Sequence, residues 1–300
     1  HLILCGRSTP NTAAQATIDD LRNRGVAVDV KPVDIASWAE VQRLFVDIDS
    51  LPVPLRGIVH AAGVLEDGSM LLQNAARIHA TIAPKVFGAW NLHRATLSLP
   101  LDFALYLSAG ATLLGMRGQG GYCAANAFLD EFAHARRALG HPAVSINLGA
   151  WEGAGMRAAL SADQRTQMND DGILGIAPEA GLAALQQALQ ANLPQVAILP
   201  MAWDRFFART PQQRATSLLA EISATASHTA GDNANPAPAQ KQTTARPPAF
   251  REQWQHANTG ERSALIKTLV RQQIGKILRL PEARVLAPKQ PLVESGFDSL

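Results

Sequence analysis

Tyr122 and Asn126 stand four residues apart, just beyond a glycine-rich stretch and a β-rich run that ends Leu107-Ser108-Ala109. At that spacing on a helix the two side chains share one face, a turn apart. A phenol at a helix start beside a strand end can act as a general acid if a nearby cation brings its pKa down from ~10. The candidate cation is Lys85, in Pro84-Lys85-Val86-Phe87-Gly88. Alone, a tyrosine and an asparagine so spaced are more often an ordinary buried pair beside a solvated lysine. The surrounding sequence has to decide.

Elements able to position these groups can be read from the hydropathy pattern. Short, near-continuous apolar runs fall at Leu2–Cys5, Val26–Val30, Gly57–Ala61, Asp102–Ser108, Ala143–Asn147 and Val196–Leu199, as parallel strands covered on both faces require. Helical patterns lie between them at Thr12–Asn23, Trp38–Asp47, Pro84–Ser98, Tyr122–Leu139 and Pro178–Ala191. Pro84 suits the first turn of its helix and Gly140 the position after the end of its own. This alternation predicts an α/β domain, a Rossmann-like doubly wound parallel sheet with right-handed crossovers.

From Ser223 to Ala249 there is no Val, Ile, Leu, Met, Phe, Trp or Tyr, so the stretch lacks the apolar surface to offset its chain entropy and reads as a disordered linker. Beyond it, Ile266, Val270, Ile274 and Ile277/Leu278 recur at helical steps and predict an amphipathic helix. The division is therefore 1–222, a linker over 223–250, and a second domain over 251–300.

The 300 residues carry a formal net charge of +2, with 47% apolar and 17% charged residues. That composition supports a packed core and gives no footprint for nucleic acid. No apolar run approaches the ~18–20 residues of a membrane span. Cys5 and Cys123 stand far apart without companions at metal-ligand spacing, which argues against a disulfide scaffold or a zinc cage and for a reduced, cytoplasmic setting. The chain opens inside an apolar run at His1 and stops at Gly296-Phe297-Asp298-Ser299-Leu300, as expected of a piece of a longer polypeptide.

Six ordered blocks carry a family resemblance: Leu4-Cys5-Gly6-Arg7-Ser8; Val33-Asp34-Ile35; Val59-His60-Ala61-Ala62-Gly63-Val64; Pro84 to His93; Gly118-Gln119-Gly120 through Tyr122, Asn126 and Asp130; and Ser145 to Trp151. Over about residues 1 to 205 the chain resembles the ketoreductase domain of modular polyketide synthases, a branch of the short-chain dehydrogenase/reductases. The resemblance implies that Tyr122 gives a proton to a β-carbonyl oxygen while NADPH supplies hydride to its carbon, with Lys85 and Asn126 holding a proton relay. It implies that Arg7 meets the adenosine 2′-phosphate, a dianion that suits a guanidinium. Asp34, followed by Ile35, would meet the adenine, and the turn containing Ala61, Ala62 and Gly63 would pass under the cofactor. The Leu65-Glu66-Asp67 element, with Asp67 as marker, resembles that of reductases giving the D-configured alcohol; the tryptophan of the opposite class is replaced by Leu114.

Two departures qualify this. The family's catalytic serine, thirteen residues before the tyrosine, is Ala109 here. Ser108 sits one residue earlier, and neighbouring strand residues face opposite sides, so it is not expected to reach the substrate. Losing one donor to a developing oxyanion costs roughly 10²–10³ in rate, so the alternative is a catalytically impaired, reductase-like scaffold that leaves the ketone in place. The family's first strand and Gly-rich phosphate loop are also missing: Gly118-Gln119-Gly120 runs on to Cys123 where a third glycine belongs, and lacks the later acidic residue. Because that strand is central in the family's sheet, the chain alone is expected to bind NADPH poorly.

The last fifty residues resemble the first half of an acyl carrier protein, the start of an all-α domain. The resemblance implies that Ser299 of Asp298-Ser299-Leu300 carries 4′-phosphopantetheine, and that the partners are a carrier-bound polyketide intermediate and other synthase domains, with no nucleic acid, membrane or metal.

Overall fold

The computed structural model describes residues 1–68, 73–116, 118–153, 155–158, 160–210, 216–231, 254 and 257–277. They fall in two units, 1–233 and 234–300. The first begins β1 (Leu2–Gly6), α1 (Thr12–Asn23), β2 (Val28–Pro32), α2 (Trp38–Asp49) and β3 (Gly57–His60). Then come α3 (Ala75–Ile82), a π-helical turn (Ala83–Phe87), α4 (Gly88–Thr96), β4 (Phe103–Ala109), α5 (Ala111–Leu114), α6 (Gly120–Ala138) and β5 (Val144–Leu148). The unit closes with α7 (Gly155–Ala158), α8 (Ala162–Asp170), α9 (Pro178–Gln190), β6 (Gln195–Ile198), α10 (Trp203–Arg209), a 3₁₀ turn (Ser217–Leu219) and α11 (Ala220–Gly231).

All strand pairs are parallel, as the strand–helix alternation predicts, but they form two sheets: β1–β2, and β3–β4–β5–β6. β1 and β3 each keep one unpaired edge, and Leu2, Leu4 and Val59 are 41%, 39% and 57% exposed. In the larger sheet the alternation of side chains is clean. Ala104 and Tyr106 of β4 pack with Ala89, Leu129, Phe132 and Ala133 of α4 and α6, whereas Leu105 joins Val144, Ile146 and Ala188 on the opposite face, toward α9. Helices on both faces explain why these strands read as continuous apolar runs.

The boundaries differ from expectation at three places. Helix begins at Ala75, before Pro84, and Pro84 lies within the π-turn rather than opening a helix. Proline has no N–H to give to the carbonyl four residues back and its ring crowds that carbonyl, so a widened turn absorbs it. The short helices α7, α8 and α10 were not read from the pattern; α8 buries no residue and so has no apolar stripe to see. Finally, α11 runs through Gly231, nine residues past the 222 boundary. Ala-rich sequence poor in larger apolar groups is still strongly helix-forming. The C-terminal end of α6 is as read, with Gly140 in the left-handed region (φ +81°) just after it.

The second unit contains α12 (Thr259–Ile277), where the recurrence of Ile266, Val270 and Ile274 predicts a helix. Residues 232–253 of the linker and its margin, and residues 278–300 with Ser299, lie outside the described residues. Among the described residues no helix is long and apolar enough to cross a membrane.

Candidate active site

Tyr122 sits in the first turn of α6 and Asn126 one turn on; both are buried, Asn126 completely. Lys85 reaches them from the π-turn, only 4% exposed, its Nζ 5.8 Å from the centroid of the Tyr122 ring. The structure thus brings together the three groups paired by spacing. Lys85 Nζ donates to the Leu107 carbonyl of β4 at 2.9 Å, and Asn126 Nδ2 donates to the Tyr122 carbonyl at 2.7 Å. Asn126 Oδ1 is buried with no partner. An orphaned acceptor beside a phenol and an ammonium invites a donor, as an incoming hydroxyl or water would be.

Burial pushes the Lys85 ammonium down to about 8, an effect opposed by the Asp130 carboxylate. The expected lowering of Tyr122 by a cation is not found. Burial pushes its phenol up, the Asn126 amide pulls the other way, and Asp67 and Cys123 add to the rise. Burial dominates, and the resting Lys85 ammonium, hydrogen-bonded to the Leu107 carbonyl, does not offset that rise. Such a tyrosine holds its proton firmly at neutral pH, the state required of a proton donor.

Ser108 is buried at the end of β4. Its hydroxyl turns to α6, donating to the Asn126 carbonyl at 3.2 Å and accepting from Asn147 Nδ2 at 3.1 Å. Ala109, the last residue of β4, is buried and brings no polar side-chain atom. Asp67 is exposed, but its loop is clasped to the one that leads into α6. Gln119 Nε2 donates to Asp67 Oδ2 at 2.8 Å, and the Gly68 N–H donates to the Gly118 carbonyl at 2.9 Å.

The residues that the resemblance assigns to the nucleotide lie past the C-terminal ends of β1, β2 and β3, where parallel sheets bind ligands. Arg7, after β1, is exposed and has no ion pair among the described residues. Asp34, after β2, uses Oδ1 to accept from the Ala36 N–H at 3.0 Å, while its N–H donates to Glu40. Ile35 and Ala36 offer their carbonyls to Asn91 of α4. Ala61 and Gly63 are exposed and Ala62 half-buried in the turn after β3. A Cβ on Gly63 would stand 3.0 Å from Lys85 Cε, so glycine keeps that turn against the lysine stem. An unpaired guanidinium, a capping aspartate and a turn of small residues at adjacent strand ends fit the adenosine end of a dinucleotide. The phosphate-cradling glycine loop of such sites is not among these residues.

The residue types missed by spacing are those beneath the site. Asp130, a further turn along the Tyr122–Asn126 face, meets Thr112, Ser145 and Asn147 in a buried polar cluster. The i, i+4, i+8 continuation 122–126–130 was a visible signal for it.

Residues 1–153 match the model of the KR domain family. The chain belongs to that family. KR domains are the ketoreductase units of polyketide synthases, oxidoreductase components of those assemblies. The spectinabilin polyketide synthase system protein NorB of Streptomyces orinoci is 36% identical over 304 residues, covering 100% of this chain and 13% of that protein. A mycocerosic acid synthase-like polyketide synthase of Mycobacterium tuberculosis is 41% identical over 192 residues, 64% of this chain and 9% of that protein. The chain therefore spans only a small part of these curated relatives. Among solved structures, an A-type ketoreductase from a modular polyketide synthase aligns with a TM-score of 0.69 at 31% identity, covering 75% of this chain and 48% of that one. The ketoreductase of the first module of phoslactomycin biosynthesis aligns at 0.65 and 29%. The Rossmann-like parallel fold of this KR domain is shared with them.

Proposed function

We propose that the KR domain reduces a β-ketoacyl thioester, tethered to a carrier protein's 4′-phosphopantetheine arm, to the β-hydroxyacyl thioester. The observation that carries this reading is the shared burial of Tyr122, Asn126 and Lys85 at the start of α6. NADPH, when bound, supplies hydride to the carbonyl carbon. Arg7 and Asp34 would hold its adenosine end, with Ile35 beside that contact and the Ala61–Ala62–Gly63 turn flanking it. Tyr122 holds a proton at its phenol oxygen and releases it to the carbonyl oxygen as that oxygen gains charge. Asn126 Oδ1 orders the donor that refills the phenol, and Lys85 steadies the negative charge left behind. The carbonyl thus gains one hydride and one proton.

Asp67 together with Leu114 supports the D-configured product. Beyond α12, Ser299 is the proposed phosphopantetheine attachment point, and other synthase domains of the same polypeptide are the proposed partners, in the cytoplasm. A second reading rests on Ala109: without the hydroxyl at this position the domain is a scaffold that passes the ketone on.

The deciding experiment uses the whole synthase module with its carrier. NADPH oxidation and the configuration of the released acid are measured for the natural protein and for Ala109→Ser. Slow reduction that rises about 10²–10³-fold with the serine supports a reductase short of one oxyanion donor. No reduction in either establishes the scaffold, equal rapid turnover removes any role for position 109, and an L-configured alcohol removes the role given to Asp67.

A further inference from the structure

The carboxylate of Asp130 is buried under the site, 6% exposed, with no ion pair of 4 Å or less among the described residues. Three neutral groups hold it. Ser145 Oγ donates to Oδ1 at 2.6 Å, while Asn147 Nδ2 at 2.9 Å and Thr112 Oγ1 at 3.2 Å donate to Oδ2. A buried acid solvated by dipoles instead of a counter-ion keeps an uncancelled field for its surroundings. The orientation of the cluster is fixed from outside, since Gln195 Nε2 donates to Asn147 Oδ1 at 2.8 Å and so directs the Asn147 amide nitrogen inward. From Asn147 the chain of bonds continues to Ser108 Oγ and from there to the carbonyl of Asn126.

We propose that Asp130 is a positioning residue of the ketoreductase site, supplying the counter-charge for Lys85 through space and locking the Asn126 backbone through Asn147 and Ser108. The other groups around Lys85 do not fill this role. His60 of β3 is buried beside it, its ring nitrogen 3.3 Å from the Lys85 carbonyl, and burial brings it down to about 4, so it is neutral. Tyr106 of β4 is pushed up to about 12 and Tyr122 also upward, so both are uncharged at neutral pH. His79 of α3 lies against Phe87; on α4, His93 is engaged by Arg136 and Arg94 stacks on Trp38. Asp67 adds to the rise of Tyr122 and stands out in solvent. Asp130 is left as the buried carboxylate that opposes the desolvation of the lysine.

The test titrates Lys85 in the full synthase module by competitive trace acetylation, read by mass spectrometry on the peptide that carries it. Asp130→Asn keeps the shape and removes the charge. The Lys85 midpoint is expected to fall by about one to two pH units, as for loss of an opposing charge in a buried site. Asp130→Ser, which leaves room for a water among the same donors, carries the same expectation if the asparagine variant does not fold. Ser145→Ala removes a hydrogen bond but no charge, and leaves the midpoint in place. An unmoved midpoint in a folded charge-removing variant overturns the proposal, and so does an equal shift in Ser145→Ala, which would mark mere loosening. In the Ala109→Ser background the high-pH limb of the rate profile moves down with the midpoint, because the working lysine is the cation. The catalytic part of this inference rests on the proposed reduction, but the labelling readout does not. Absence of turnover therefore strikes the proposed function, and an unmoved midpoint strikes Asp130.

Discussion

The two sheets of the KR domain are built to different standards of closure. Around β4 and β5, Ala104, Tyr106, Ser145, Ile146 and Asn147 are all sealed from solvent, and Ser145 and Asn147 hydrogen-bond to Asp130 and Ser108. Along β1, four of five residues are exposed and Arg7 stands free in solvent. Proton transfer needs groups that are dry and already oriented, because a water-excluded site strengthens their interactions and removes reorganisation at the moment of reaction. A dinucleotide is a large mobile ligand, so its holders must be open to it. In the proposed reaction the closed half would keep the proton chemistry and the open half would receive the cofactor.

The comparison can be broken most forcefully at the closed half. Tyr122→Phe, measured in the whole module, is expected to lower turnover about 10³-fold while NADPH affinity stays the same, since only the acid is lost; a weakened affinity instead would mean that the halves are not separate. Acid acts on the same closed half. His60 titrates near 4 when folded against ~6.5 when unfolded, so the unfolded chain binds the proton first as pH falls. Stability is then full above about 6.5 and declines through about 4, by roughly 3 kcal/mol in all. Denaturation midpoints of natural protein and His60→Gln across that window would show it, the variant losing that part of the slope.

A Cβ at Gly88 would come within 2.9 Å of His60 Cε1 and 2.8 Å of Ile35 Cγ2, at the point where α4 bridges the two halves. Gly88→Ala should cost about 1–3 kcal/mol of stability, checked by chemical denaturation; no loss would show that the bridge can yield. The open half gives the smallest effect. Arg7→Ala is expected to raise the NADPH dissociation constant about tenfold and leave NADH binding unchanged, as removal of one charge-assisted contact predicts. Equal weakening of both cofactors would place Arg7 elsewhere than at a 2′-phosphate.

Legibility followed the same divide. Tyr122 and Asn126 were legible because one helix period fixes their relation, and Ser108 because strand alternation does. Lys85 was legible as a residue but not in its setting: the π-turn arises from Pro84 inside a longer helix, and a proline in sequence does not say whether it starts a helix or distorts one. Asp130, Thr112 and Asn147 were not legible as a unit because their association joins α5, α6 and β5, elements whose register against one another is decided by packing. The mixed fate of residues 223–231 has a simpler cause, since the same alanines that deny a core favour a helix.

β4 assigns its last three residues to different tasks: the Leu107 carbonyl holds Lys85, the Ser108 side chain belongs to the network beneath α6, and position 109 carries only a methyl group. Because neither scaffold bond uses the side chain of residue 109, an exchange of alanine for serine there leaves both bonds available. A lineage of synthases could in this way silence a reduction step, and later recover it, through a single codon.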